Sequence, residues 1–139
     1  MFLLVDLVVI LVGLVVVAAP IAFGAGGLGF LRGLTASLVA IYLGTFLFCA
    51  LGHYGIDVKL WWLGLDRSGF TFEEQLRTVA PEDRDRAQRL INSRMGLPWP
   101  FRAIMSSVVL LTPYTCVAFP VARLGRTLLR RRRLRRSAV

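Results

Sequence analysis

The sequence predicts an all-α integral membrane protein with three transmembrane helices. An N-terminal hairpin is followed by a proline-kinked C-terminal span, with a short amphipathic helical extramembrane insert between spans two and three. Three observations predict this. Residues 2–23, 30–52 and 101–122 are apolar stretches of membrane length; a helix needs roughly 20 apolar residues to cross about 30 Å of hydrocarbon. The 139-residue chain is 56% hydrophobic, and its mean hydropathy is +0.66, outside the usual range of soluble domains. The formal net charge of +9 is concentrated directly after the third stretch. The length allows a single membrane domain over residues 1–139.

Span one, FLLVDLVVILVGLVVVAAPIAF, carries one charge, Asp6. No basic residue precedes Arg32, whereas a cleaved signal peptide has a basic start and a shorter apolar run. Span one is therefore expected to be a retained helix. The connector GAGGLG, residues 24–29, is glycine-rich and suits a tight turn, so spans one and two form a hairpin.

Span two, FLRGLTASLVAIYLGTFLFCALG, begins near Arg32 and ends before His53. Gly29, Gly33 and Ser37 form one row of small residues at helical spacing; Ala36, Ala40 and Gly44 form another. Small residues let helix backbones approach closely where lipid gives no hydrophobic drive. Two uses remain open for these rows: packing within the chain, or contact with another subunit.

Residues 53–100 form an outer loop. Trp61, Trp62 and Trp99 lie at its edges, with Tyr54 beside them. Amphipathic rings favour the membrane interface, so residues 57–65 are expected to lie along the membrane surface. Thr71 and Glu74 match a capping box, and Phe72, Leu76 and Val79 share a face. Pro81 starts a second helix with Glu82 and Asp83 beside it; its apolar stripe is Ala87, Leu90, Ile91 and Met95. Gly96 follows as a helix stop. Glu73–Arg77, Glu82–Arg86 and Asp85–Arg89 are spaced as i,i+4 pairs. Two short amphipathic helices are expected, either solvated or forming a docking surface.

Span three, FRAIMSSVVLLTPYTCVAFPVA, contains Pro113, which should kink it. Ser106, Ser107, Thr112 and Thr115 make it the most polar span. Such hydroxyls either bond their own helix backbone or line a pore.

The tail, residues 123–139, holds Arg123, Arg126, Arg130, Arg131, Arg132, Arg133, Arg135 and Arg136, and no acid. Basic residues beside a span favour the cytoplasmic side, and Arg32 falls on that same side. The N-terminus and outer loop then face outside. The tail is expected to anchor topology and to hold anionic headgroups, with no nucleic acid as partner because no folded basic module accompanies it. Arginine dominates over lysine and Val, Ala, Leu and Gly are abundant, which suggests a bacterial cytoplasmic membrane.

Few residues suggest chemistry. Asp6 and Arg102 are expected near the outer interface, where an ion pair would offset the cost of intramembrane charge. His53, the only histidine, is a weak candidate for a cofactor ligand. Cys49 and Cys116 fall at different depths, too far apart for a disulfide. No nucleophile–base pair, phosphate loop or metal-ligand spacing is present. The expected function is non-enzymatic, without cofactor or metal: an accessory or scaffold subunit of a larger membrane complex, contacting other membrane subunits or itself. The alternative is a self-assembling channel, pore or transport component. In layout only, the chain resembles class I phage holins, which have three spans, an outside N-terminus and a basic cytoplasmic tail. That resemblance implies pore formation; the long outer loop departs from it.

Overall fold

A computed structural model describes residues 2–66, 68–69 and 71–136, with the side chains of Phe2, Arg135 and Arg136 outside the described residues. The described residues are helical, without strands. The order is α1 (Phe2–Ala25), α2 (Phe30–Trp62), α3 (Phe72–Leu76), a 3₁₀ turn (Pro81–Asp83), α4 (Arg84–Arg94), α5 (Trp99–Met105), a π segment (Ser106–Leu111) and α6 (Thr112–Arg136). The last three form one long rod. Three helices are long and apolar enough to cross a membrane: Leu3–Ala25, Phe30–Trp62 and Trp99–Leu134.

The interior is mainly apolar, with Ile41, Leu60 and Phe119 fully buried, but the exterior is apolar as well. Leu3 is 86% exposed and Leu31 75%, while Ser37, Ser107 and Thr115 are buried. An apolar exterior of this extent suits hydrocarbon, not water.

The turn at residues 26–29 pairs α1 and α2 as the expected hairpin, and α6 packs against both. Gly24 and Gly33 leave the space that the fully buried Phe119 ring and backbone occupy. A β-carbon on Gly24 would stand 2.5 Å from the Phe119 carbonyl oxygen; one on Gly33 would stand 3.0 Å from its ring. Further along, Gly44 receives Val16 and Gly55 receives Val5.

Helix α2 differs from expectation. It does not end near Gly52 but continues to Trp62, 33 residues in all. That is about 50 Å at 1.5 Å per residue, longer than the hydrocarbon core. Residues 57–62 are therefore part of this rod and not a separate surface segment. Leu60 there is buried with Val79, Ala87 and Ile91, flanked by Ile56, Phe72, Leu76 and Leu90. The insert folds onto the end of α2 because both stripes of its amphipathic helices need an apolar partner.

The local signals of the insert are met. Thr71 accepts from the Glu74 amide and Glu74 accepts from the Thr71 amide. Gly64 takes φ +76° and Gly96 φ +141° at the two turns, where other residues would be strained. Ser68 donates its amide and hydroxyl to Asp66, holding that carboxyl below its ordinary range. Met95 is 65% exposed and leaves the predicted stripe. Two expected ion pairs, Glu73–Arg77 and Asp85–Arg89, are not closed; Arg89 donates to the Asp85 backbone carbonyl instead.

Relief around Pro113 takes a specific form. The helix widens into the π segment just before it. Proline cannot donate to the preceding turn and its ring crowds it, and a π turn absorbs that misfit. The Thr112 amide and hydroxyl both donate to the Ser107 carbonyl. Two further prolines, Pro20 in α1 and Pro120 in α6, lie inside helices. Near Pro20, the Tyr114 hydroxyl donates to the Val17 carbonyl at 2.9 Å and ties α6 to α1.

Candidate functional site

Charged side chains gather at the two ends of the molecule. The end bearing the insert holds a cavity of about 440 Å³ between α1, α2 and the start of α5. Val9, Phe48, Ile56 and Leu97 give it apolar walls; Cys49, His53, Arg94 and Arg102 supply the polar groups. Trp99 closes one side in a ring cluster, 4.8 Å from Phe46, 6.2 Å from Tyr54 and 6.4 Å from His53 between centroids. His53 also meets Tyr54 edge-on at 5.5 Å. The histidine is thus packed among rings. Among the described residues, no group of three or more His, Cys, Asp or Glu could hold a metal.

The expected pair of Asp6 with Arg102 is not formed. Asp6 pairs with Lys59 at 2.5 Å. The cause is the length of α2, which carries Lys59 over the start of α1. Arg102 instead lines the cavity beside Cys49. A second pair, Asp57–Arg94 at 2.8 Å, clamps α4 to α2. Cys49 and Cys116 are free thiols.

The three tryptophans do not share one level. Trp99 is half-buried in the ring cluster, while Trp61 and Trp62 are exposed. They lie eight or more residues beyond His53 on α2, about 12 Å along the axis.

The small-residue rows of α2 face inward in part. Gly33 is buried against Phe119 of α6, Ser37 is buried, and Gly44 meets Val16 of α1. Ala36 and Ala40 are half-buried, and Gly29 has open space around it. Packing within the chain occupies Gly33, Ser37 and Gly44. In span three, Ser107, Thr112 and Thr115 donate to the carbonyls of Ala103, Ser107 and Leu111, and Thr112 also meets the Tyr42 hydroxyl at 3.1 Å.

The opposite end is built from arginine. Arg123 donates to the Leu28 carbonyl and Arg126 to the Gly26 carbonyl; Arg123 also lies over the Phe30 ring at 5.6 Å. Two grooves flank these residues. One, of about 260 Å³, is lined by the turn at Gly26, Gly27 and Leu28 together with Arg123, Arg126, Thr127 and Arg130. The other, about 520 Å³, runs between α1 and α6 over Ile21, Ala25, Ala122 and Leu129, with Arg126, Arg130 and Arg133 along it. Arg131 and Arg132 line neither groove. Backbones of Arg135 and Arg136 fall at the end of α6, with their side chains outside the described residues.

Charge is segregated along the rod. The eight acids are Asp6, Asp57 near the end of α2, and six residues of the insert; eight basic residues, Lys59 to Arg102, accompany them. The remaining nine basic residues, Arg32 and the tail, equal the whole net charge of +9. Sequence reasoning located this tail but missed Phe119, which carried no signal distinct from other apolar residues, and it gave Gly24 to the connector, whereas α1 runs to Ala25 and Gly24 packs there on Phe119. No protein-family profile, curated protein or solved structure matches the chain.

Proposed function

We propose that this chain is a small non-enzymatic, multi-pass membrane protein that acts as an accessory or scaffold subunit of a larger membrane complex. It sits in a bacterial cytoplasmic membrane with the insert outside and the arginine end cytoplasmic, as the excess of arginine beside that end favours. One observation carries the reading. Within one copy, the hydroxyls of Ser107, Thr112 and Thr115 already bond carbonyls of their own helix, which leaves Ser37 of α2 as a buried hydroxyl without a partner among the described residues. The small residues Gly33 and Gly44 are likewise filled by Phe119 and Val16.

What is left for recognition lies outside the bilayer. The insert is a folded body fixed to α2 by an apolar cluster and the Asp57–Arg94 pair. It presents the exposed polar face of α4, including Gln88 and Arg89. Rigid helices outside the membrane are suited to specific contact because little order is lost on binding.

Purification in a gentle detergent tests this. The wild-type chain should bring down one stoichiometric membrane partner, and Arg86→Glu/Arg89→Glu should lose it while keeping wild-type helicity. A homo-oligomer that leaks dye from liposomes would instead establish the pore.

A further inference from the structure

We propose that the arginine end is a built site for one anionic phospholipid, with the phosphate and an acyl chain held in adjoining grooves. The inference goes beyond the subunit reading and does not depend on it. The polar groove beside the 26–29 turn and the apolar groove between α1 and α6 share Arg126 and Arg130. A phosphate in the first therefore lies next to an apolar channel in the second. Arginine suits the headgroup because its planar fork donates to two phosphate oxygens at once. Arg126 uses one donor on the Gly26 carbonyl, leaving the rest of its five available.

The turn lies directly beside the guanidinium: a β-carbon on Gly27 would stand 3.9 Å from Arg126, in ordinary contact. No acid competes: all eight lie at Asp6, at Asp57 near the far end of α2, or in the insert. The floor of the second groove, Ile21, Ala25, Ala122 and Leu129, belongs to membrane-length helices. That floor commits the site to a lipid and not to free phosphate, which has nothing to place there.

Position separates a site from a general anchor. Arg126, Arg130 and Arg133 are spaced by four and three residues and fall on one helix face; all three line the apolar groove, while Arg131 and Arg132 do not. A diffuse charge anchor responds only to the number of arginines. A site responds to which ones are removed.

The test is native mass spectrometry of the full chain from micelles holding phosphatidylglycerol and phosphatidylcholine. Wild type should retain phosphatidylglycerol preferentially. Arg126→Gln/Arg130→Gln should lower that preference roughly tenfold or more, the scale of two basic residues at a membrane surface. Arg131→Gln/Arg132→Gln, with equal charge loss, should leave it unchanged. Ala25→Phe keeps every arginine and fills the apolar groove, so it too should lower retention. Equal loss in the two arginine pairs, no preference in wild type, full retention in Ala25→Phe, or displacement of the lipid by glycerol phosphate at equal concentration would each overturn the proposal. Wild-type helicity and resistance to unfolding are required of every variant compared.

Discussion

Phe119 is fully buried in a chain whose large apolar residues mostly face outward. It stays buried because two glycines on two different helices face it. The two are not equivalent. A β-carbon at Gly24 would meet a backbone carbonyl at 2.5 Å, while one at Gly33 would meet a ring edge at 3.0 Å. A ring can shift; a helix backbone resists. Gly24→Ala should therefore cost about 1–3 kcal/mol in reversible unfolding from mixed micelles, with Gly33→Ala less costly. Gly52→Ala, which meets nothing within 4 Å, should cost nothing. Equal effects at all three positions would contradict this packing. The charges were legible at this scale but their partners were not. Asp6 stood out in an apolar run, yet its partner Lys59 followed only from a helix continuing past the end of the hydropathic stretch. Phe119 was illegible for another reason: in a helix that is apolar all round, composition does not distinguish the packed face from the lipid face.

At the scale of the element, the insert was legible because its signals are local. The capping box, the proline start and the Gly96 stop act within a few residues. The end of α2 was not, because hydropathy falls at His53 while the backbone remains helical. Polar residues ended the apolar run without ending the helix. The consequence is a platform on which Leu60, 1% exposed, holds the insert. Leu60→Ala removes a large side chain from the centre of that cluster, and such truncations cost about 2–5 kcal/mol. Amide exchange in α4 should rise sharply while α1 and α6 keep their protection. Unchanged exchange in α4 would mean that the insert is held by other contacts, the Asp57–Arg94 pair first among them. Pro113 shows the same division: its misfit was legible, but its relief through a π segment with Thr112 as second donor depends on the helices packed around it.

For the whole molecule, the organising feature is polarity along the rod. The insert end balances eight basic residues against eight acids, and the arginine end holds the full net charge of +9. The layout of three membrane-length helices was legible from apolar length alone, and the tail from its charge. The gathering of Arg123 and Arg126 onto the hairpin turn was not, since it depends on how α6 packs across α1 and α2. The proposed topology has those three helices crossing a bilayer, with the insert outside and the arginines inside. Cysteine labelling tests this most directly. In a background with Cys49→Ser and Cys116→Ser, Gln88→Cys on α4 and Leu128→Cys on α6 are each treated with a membrane-impermeant maleimide on intact spheroplasts. Gln88→Cys should be labelled at once and Leu128→Cys only after lysis. Labelling of Leu128→Cys on intact spheroplasts, with or without Gln88→Cys, would contradict that topology.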